Sequence, residues 1–176
     1  MRTTGVVRRI DDLGRIVIPK EMRRTLRIHD GESLEIFVED EMIALKKYSS
    51  MSDLNDISND LSNTINKVLL KEVLITDRDK VISSSGNLKG KYQEKNISKY
   101  LEEKLANRET VIEKSVKEVE FVDGQIEKCS YTISPIIMNG DAIGTVVIFT
   151  VSDSITDIEV KMANMASKFL GKHIEE

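Results

Sequence analysis

The chain has 176 residues, 40% hydrophobic and 32% charged, with a formal net charge of −4 and a pI near 5.4. That content supports ordinary globular cores, excludes wholesale disorder and suits one domain or two small ones. One cysteine, Cys129, and two distant histidines, His29 and His173, leave no internal disulfide and no zinc spacing; no apolar run approaches the ~18 residues of a membrane span, and the polar, basic start carries no secretory signal.

The mean charge hides an asymmetry at the start of the chain. Seven of the nine arginines lie in the first 27 residues. Residues 1–29 carry eight Lys/Arg against three Asp/Glu, net +5, and residues 30–176 carry 18 against 27, net −9. Polyanions respond to the local field of one face rather than to the average, so an acidic pI does not argue against a nucleic-acid partner. The choice of arginine points the same way, because its flat fork pairs with phosphates and guanine edges as lysine cannot.

The first predicted elements are strands. Val6, Val7 and Ile10 precede a tight connection at Asp11-Asp12-Leu13-Gly14, and Arg15-Ile16-Val17-Ile18 follows as a second β-branched run. Pro19 suits the first turn of a short helix over Lys20 to Leu26. After a break at His29-Asp30-Gly31-Glu32, residues 34–38 and 42–45 flank an acidic Glu39-Asp40-Glu41 turn as a hairpin. A unit of about 47 residues without disulfide or metal seldom buries enough apolar area alone, so it is expected to pair with a second copy.

Next comes a helix. Met51, Leu54, Ile57 (or Ser58), Leu61, Ile65 and Val68 recur at three- and four-residue steps, a narrow apolar seam expected of a connector that also packs on a partner. The domain boundaries expected are 1–50, 51–70 for this linker helix, and 71–176.

The remainder reads as α+β. Strands are expected at Val73–Thr76, Val81–Ser83, Thr110–Glu113, Val119–Val122, Cys129–Met138 and Ala142–Val151, with turns at Asp77-Arg78-Asp79, Asp123-Gly124 and Asn139-Gly140-Asp141. A helix is expected from Ser98 to Asn107. Thr156 and Glu159 form a capping box for a terminal helix, with Ile155 and Val160 as a staple and Ile158, Met162, Met165 and Phe169 as a stripe. This order predicts a central antiparallel sheet with helices on one face.

Residues 4–26, from Thr4-Gly5-Val6-Val7-Arg8-Arg9 through Leu13-Gly14-Arg15-Ile16-Val17-Ile18-Pro19-Lys20 to Arg23-Arg24-Thr25-Leu26, together with residues 34–38 and 45–48, resemble the swapped-hairpin DNA-binding domain of the AbrB-type transition-state regulators. With residues 71–176 included, the chain is similar to the two-domain sporulation regulators of that type, and Ile143-Gly144-Thr145-Val146-Val147-Ile148-Phe149 is the best anchor in the second half. The resemblance implies an interleaved N-terminal β-barrel dimer, a linker helix, a GAF-like domain of antiparallel sheet and helices, and a tetramer. It also implies that Arg8, Arg15, Arg23 and Arg24 bind DNA. Arg9 belongs to the same cluster as a further candidate, and Lys20 and Arg27 are weaker, peripheral ones.

The plainer reading of these arginines is a solvated face paired with Asp11, Asp12 and Glu21. Arginine over lysine, the acidic remainder and the length of the motif weigh against it. A helix-turn-helix is disfavoured, since the basic segment holds one short helix between strands. Gly86-Asn87-Leu88-Lys89-Gly90-Lys91-Tyr92 fails as a phosphate loop: three residues separate its glycines where four are needed, and Tyr92 replaces the required hydroxyl. Cys129 reads as a small buried hydrophobe rather than a redox sensor. Ser83, Ser84, Ser85, Tyr100 and Tyr131 could line a ligand cavity, but turn hydroxyls and half-buried sheet residues are the commoner outcome. Met162 and Met165 read as packing residues.

The combined expectation is a cytoplasmic, non-enzymatic regulator of sporulation genes with no cofactor, metal or membrane partner. Its partners are double-stranded DNA, further copies of itself and an unidentified small-molecule effector of the second domain. The alternative is an antitoxin with the same type of N-terminal domain, which a disordered acidic tail would favour and the regular elements of residues 71–176 do not.

Overall fold

The computed structural model describes residues 5–48, 51 and 54–175 and divides into two compact units, Met1–Tyr48 and Ser49–Glu176. Arg2, Thr4 and the expected boundary at residue 50 lie outside the described residues.

In the first unit α1 spans Lys20–Thr25, β1 Leu34–Glu39 and β2 Met42–Lys47. Pro19 sits one position before the helix, where its carbonyl takes the first helical hydrogen bond, from the Arg23 N–H at 3.0 Å. The hairpin pairs Leu34 with Lys47 and Glu39 with Met42, and Asp40 turns the chain with φ of 50°. The strands expected at residues 6–10 and 15–18 are absent from the described residues, a correction with a simple cause. A strand needs a ladder, and within one chain these segments find no neighbouring strand beyond the bonds that close the turn, Asp11 N–H to Arg15 O at 3.1 Å and Gly14 N–H to Asp11 O at 3.0 Å. No described residue of this unit is buried.

The second unit does have a core. Helix α2 spans Asn55–Leu69, β3 Glu72–Thr76, β4 Val81–Ser85, α3 Lys89–Tyr92, α4 Lys99–Ala106, β5 Val111–Val122, β6 Gln125–Met138, β7 Asp141–Thr150 and α5 Asp157–Glu175. The sheet order is β4-β3-β7-β6-β5, with every neighbouring pair antiparallel. Alternate residues along the central strands divide the core in two. Val73, Ile75, Val146 and Ile148 pack with Ile65, Ala163, Ala166 and Leu170 of α2 and α5. Leu74, Val147 and Phe149 point the other way, onto Tyr92, Ile97, Leu101 and Phe121. Helices therefore cover both faces, not one as the element order suggested. A β7 run buried from Ile143 to Thr150 is what a doubly covered strand requires.

Local chemistry places the ends. Ser98 caps α4 by accepting the Leu101 N–H, and the Asp77 carboxylate accepts the Asp79 and Lys80 N–H groups, each at 2.7 Å, to close the β3–β4 turn. Glu159 accepts both the N–H and the hydroxyl of Thr156, while the Thr156 hydroxyl accepts the Ile158 N–H, so the capping box forms at the start of α5. The two strands expected within residues 110–122 are one strand, β5, with an irregularity between Glu113 and Lys117 that accommodates an exposed charged stretch at the sheet edge. The helix expected as a connector, α2, lies on β3 and β4, with Ser62 Oγ 2.7 Å from Ser83 Oγ beneath it.

Gly144 marks the closest approach within the sheet, since a Cβ there would collide with the Thr76 carbonyl oxygen. Gly144→Ala is expected to destabilise the second unit by about 1–3 kcal/mol through overpacking. A urea titration read by tyrosine fluorescence reports on this unit, which holds three of the four tyrosines. An unchanged midpoint would contradict the packing described.

Candidate nucleic-acid interface

The candidate DNA-contacting residues of the first unit occupy two segments. Arg8, Arg9 and Arg15 lie on the extended stretch and its turn, all exposed. Lys20, Arg23 and Arg24 stand three and four residues apart on α1, so they share one side of it. Lys20 and Arg24 are exposed and Arg23 is half-buried.

Two of the arginines are held by carboxylates. Asp11 Oδ1 accepts the Leu13 N–H at 3.1 Å and the Arg15 N–H at 2.7 Å, and its Oδ2 accepts Arg15 Nε at 2.8 Å. One carboxylate thus closes the turn and aims the fork. Those bonds, the Arg15 backbone N–H first and its guanidinium second, hold the Asp11 carboxyl below its ordinary value of 3.8. Arg23 Nη1 donates to Asp30 Oδ1 at 2.7 Å, and its Nε is buried without a hydrogen-bond partner among the described residues. Basic Arg23 and Arg24 also fall in the last turn of α1, where the helix dipole favours positive charge.

Sequence reasoning passed over three residues here. Asp30 stood only as part of a chain break, yet it orients Arg23. Glu32 and Lys47 form a further pair at 3.3 Å, and Lys47 Nζ also donates to the Arg27 carbonyl at 2.7 Å. Fifteen residues separate that pair, so no local spacing signals it.

The candidate ligand-lining residues of the second unit are engaged with one another. Ser83 and Ser85 bond to Ser62 and Asn63 of α2, Ser84 Oγ donates to the Lys89 carbonyl, and the Tyr100 and Tyr131 hydroxyls meet at 2.8 Å. Phe121 packs edge-on to Tyr131 at 5.2 Å and tilted on Phe149 at 5.1 Å, filling the α4 side of the sheet. Tyr92 OH and Lys91 Nζ converge on the buried Glu127. Cys129 is fully buried there, and burial first, then the Glu127 charge, pushes its thiol up to about 12. A thiol so protonated and enclosed is a packing group rather than a nucleophile. On the opposite face a cleft of about 260 Å³ lies against Ser134, Asn164, Ser167 and Lys168. Among the described residues no three His, Cys, Asp or Glu converge as metal ligands, and no helix is long and apolar enough to cross a membrane.

Residues 53–175 match the family described as stage V sporulation protein T C-terminal, transcription factor, and residues 7–53 match the family described as antidote-toxin recognition MazE, bacterial antitoxin. The chain is 47% identical to stage V sporulation protein T of Bacillus subtilis (strain 168) over the full length of both. It is 60% identical to the transition state regulatory protein AbrB of the same organism over 48 residues, 27% of this chain and 50% of that protein. The GAF domain of an Acinetobacter phosphoenolpyruvate-protein phosphotransferase superposes with a TM-score of 0.57 at 12% identity, covering 73% of this chain and 84% of that one, which shows the fold of the second unit.

The Asp11 turn gives a pH signature. A carboxyl held below its ordinary value contributes fully above that value and loses its contribution as pH falls through the lowered one. In a magnetic-resonance titration the Arg15 amide should therefore hold its neutral-pH shift down to about pH 4 and move only below it. Movement centred above that point would contradict the assigned contacts.

Proposed function

The chain belongs to the stage V sporulation protein T family of transcription factors, and we propose that it regulates sporulation genes by binding double-stranded DNA as an interleaved dimer of its N-terminal unit. One observation carries the dimer. The unit exposes Val7 at 91%, Val38 at 76% and Ile43 at 71% and buries none of its described residues. Apolar surface of that extent on so small a unit requires a partner. A second copy supplies the missing ladder for residues 6–10 and 15–18 and closes the hairpin edges.

Dimerisation doubles the arginines. Arg8, Arg15, Arg23 and Arg24, with Arg9 and Lys20 beside them, displace counterions from the phosphates and seat the duplex across the two-fold axis. Forks carried on a turn and a short helix read groove shape together with base edges, so sequence stringency is modest. The activity is binding rather than catalysis, the location cytoplasmic, and the effector of the GAF-like unit a small molecule of unassigned chemistry. The match of residues 7–53 to an antitoxin family favours the antitoxin as second reading. It ranks lower because the remaining residues match a transcription factor and form a folded domain.

Arg15→Ala is expected to weaken DNA binding at least tenfold, and the salt slope should fall by about 1.8, two phosphate contacts per dimer. Titration at several salt concentrations checks both. Unchanged affinity and slope would remove Arg15 from the interface.

The full chain is further proposed to be a tetramer, joined a second time through the second unit. Ile158, Met165 and Phe169 form an outward row on α5, exposed at 62, 48 and 41%, while Ala163, Ala166 and Leu170 turn inward. Ile57, Leu61 and Met162 are only partly buried beside that inner core. Met165→Glu places a charge in the outer row without touching the core, so light scattering should show the tetramer reduced to a dimer with the second unit still folded. A wild-type dimer at micromolar concentration would refute this arrangement.

A further inference from the structure

We propose that Glu32 and Lys47 are positioning residues for DNA binding: as a shielded charged pair they fix the C-terminal end of α1, and with it Arg23 and Arg24, to the base of the β1–β2 hairpin. The inference rests on the reading of those two arginines as DNA contacts.

Helix α1 has six residues, none of them buried. A helix of under two turns does not persist on backbone hydrogen bonding alone, and the unit offers it no enclosed apolar seat. Within one chain its anchor is polar. Past its last residue the chain folds back on itself: the Leu26 N–H donates to Met22 O at 2.9 Å and the Ile28 N–H to Arg23 O at 2.7 Å. Arg27 between them takes the left-handed region, with φ of 52°. That conformation is costly for a residue with a side chain and persists only where neighbours hold it.

Lys47 supplies the hold. It stands opposite Leu34 at the open end of the hairpin, one residue before the Tyr48 N–H to Ser33 O bond that finishes the ladder. Its Nζ reaches twenty residues back to the Arg27 carbonyl at 2.7 Å. Glu32 completes the clamp by pairing with Lys47 Nζ at 3.3 Å and accepting the His29 N–H at 3.1 Å. Both side chains are shielded, Glu32 8% and Lys47 24% exposed, whereas Arg15 in its pair with Asp11 is 71% exposed. Charge-assisted bonds in such shielding are stronger than solvated surface pairs. With at least two donors of Nζ turned inward, Lys47 acts on α1 rather than on phosphate.

The sign of the effect separates positioning from electrostatics. Removing Glu32 adds one positive unit per chain, and Coulomb attraction alone then predicts tighter DNA binding. Positioning predicts weaker binding. The experiment uses the full chain and a duplex selected by it from random sequence, titrated at several salt concentrations. Glu32→Ala and Lys47→Met should each weaken binding about tenfold with an unchanged salt slope, and Lys47→Arg, which keeps charge and donors, should retain most of the affinity. Hydrogen exchange at the Ile28 amide should speed up in the first two and not in the third. Tighter or equal binding by Glu32→Ala overturns the proposal. So does a slope lowered by about 1.8 in Lys47→Met, which would make Lys47 a phosphate contact. If either variant unfolds the first unit, Glu32→Gln decides, since it keeps the acceptor for His29 and loses only the ion pair: weaker binding supports the clamp and tighter binding overturns it. The double change Arg23→Ala with Arg24→Ala runs alongside. Loss of affinity there with none in Glu32→Ala defeats the positioning inference alone, whereas no loss in the double variant defeats the DNA reading beneath it.

Discussion

The structure of the first unit turns on apolar surface with nowhere to go inside its own chain. Val6, Val7, Ile10, Ile16 and Val17 sit on segments with no ladder partner, and Ile36, Val38, Met42 and Ile43 flank the hairpin without a covering layer. Hydrophobic burial is the main favourable term in folding, and a unit with no fully buried residue among those described has little of it within one chain. In the proposed dimer, association with a second copy is a condition of the fold rather than an addition to it. The same proposal gives the arginines their valence, because each basic segment would appear twice and across a symmetry axis.

The second unit obeys the opposite logic. Its sheet is covered on both faces, one by α2 and α5 and the other by α3, α4 and a set of packed aromatic rings. Once Ala163, Ala166 and Leu170 have satisfied the inner side of α5, Ile158, Met165 and Phe169 are surplus to the domain. Small residues on the inner side bring the helix close to the sheet, and Gly171 carries this furthest, since a Cβ there would strike the Ile137 carbonyl. Beneath α2 the packing is different. Ser58 and Ser62 are fully buried there, and Ser62 bonds Ser83 across to β4, so part of that seat is held by hydroxyls instead of apolar area.

Elements set by local chemistry were legible in the sequence. The capping box at Thr156 and Glu159, the helix start at Ser98, the Asp77 turn and the hairpin around Asp40 all depend on residues within four positions of each other. The misreadings have non-local causes. Residues 6–10 and 15–18 have strand composition, but the ladder that makes a strand is not contained in one chain. The helix layer over the second sheet face was signalled by the mostly apolar run Ile143–Phe149, interrupted only at Thr145, which alternation in the neighbouring strands obscured. In the basic unit the arginine cluster stood out by composition alone. Its Glu32–Lys47 support did not, because Lys47 looks like one more lysine beside Lys46 at the charged end of β2 and Glu32 like one more turn residue.

Acidic residues beside basic ones seem to work against an anion-binding face, and magnitudes decide the matter. A free arginine side chain carries about 2 kcal/mol of rotamer entropy, much of which is lost when it grips a phosphate. In the proposed interface Asp11 and Asp30 restrict Arg15 and Arg23 before any phosphate arrives. The opposing term is repulsion between an exposed carboxylate and a phosphate, about 0.5 kcal/mol at roughly 8 Å in water and less in salt. Pre-orientation therefore outweighs repulsion wherever the carboxylate grips the fork from behind. The acidic bulk of the chain acts on another scale. At physiological ionic strength the Debye length is about 8 Å, so an acidic residue farther than that from a phosphate does little to oppose the attraction of a local basic face.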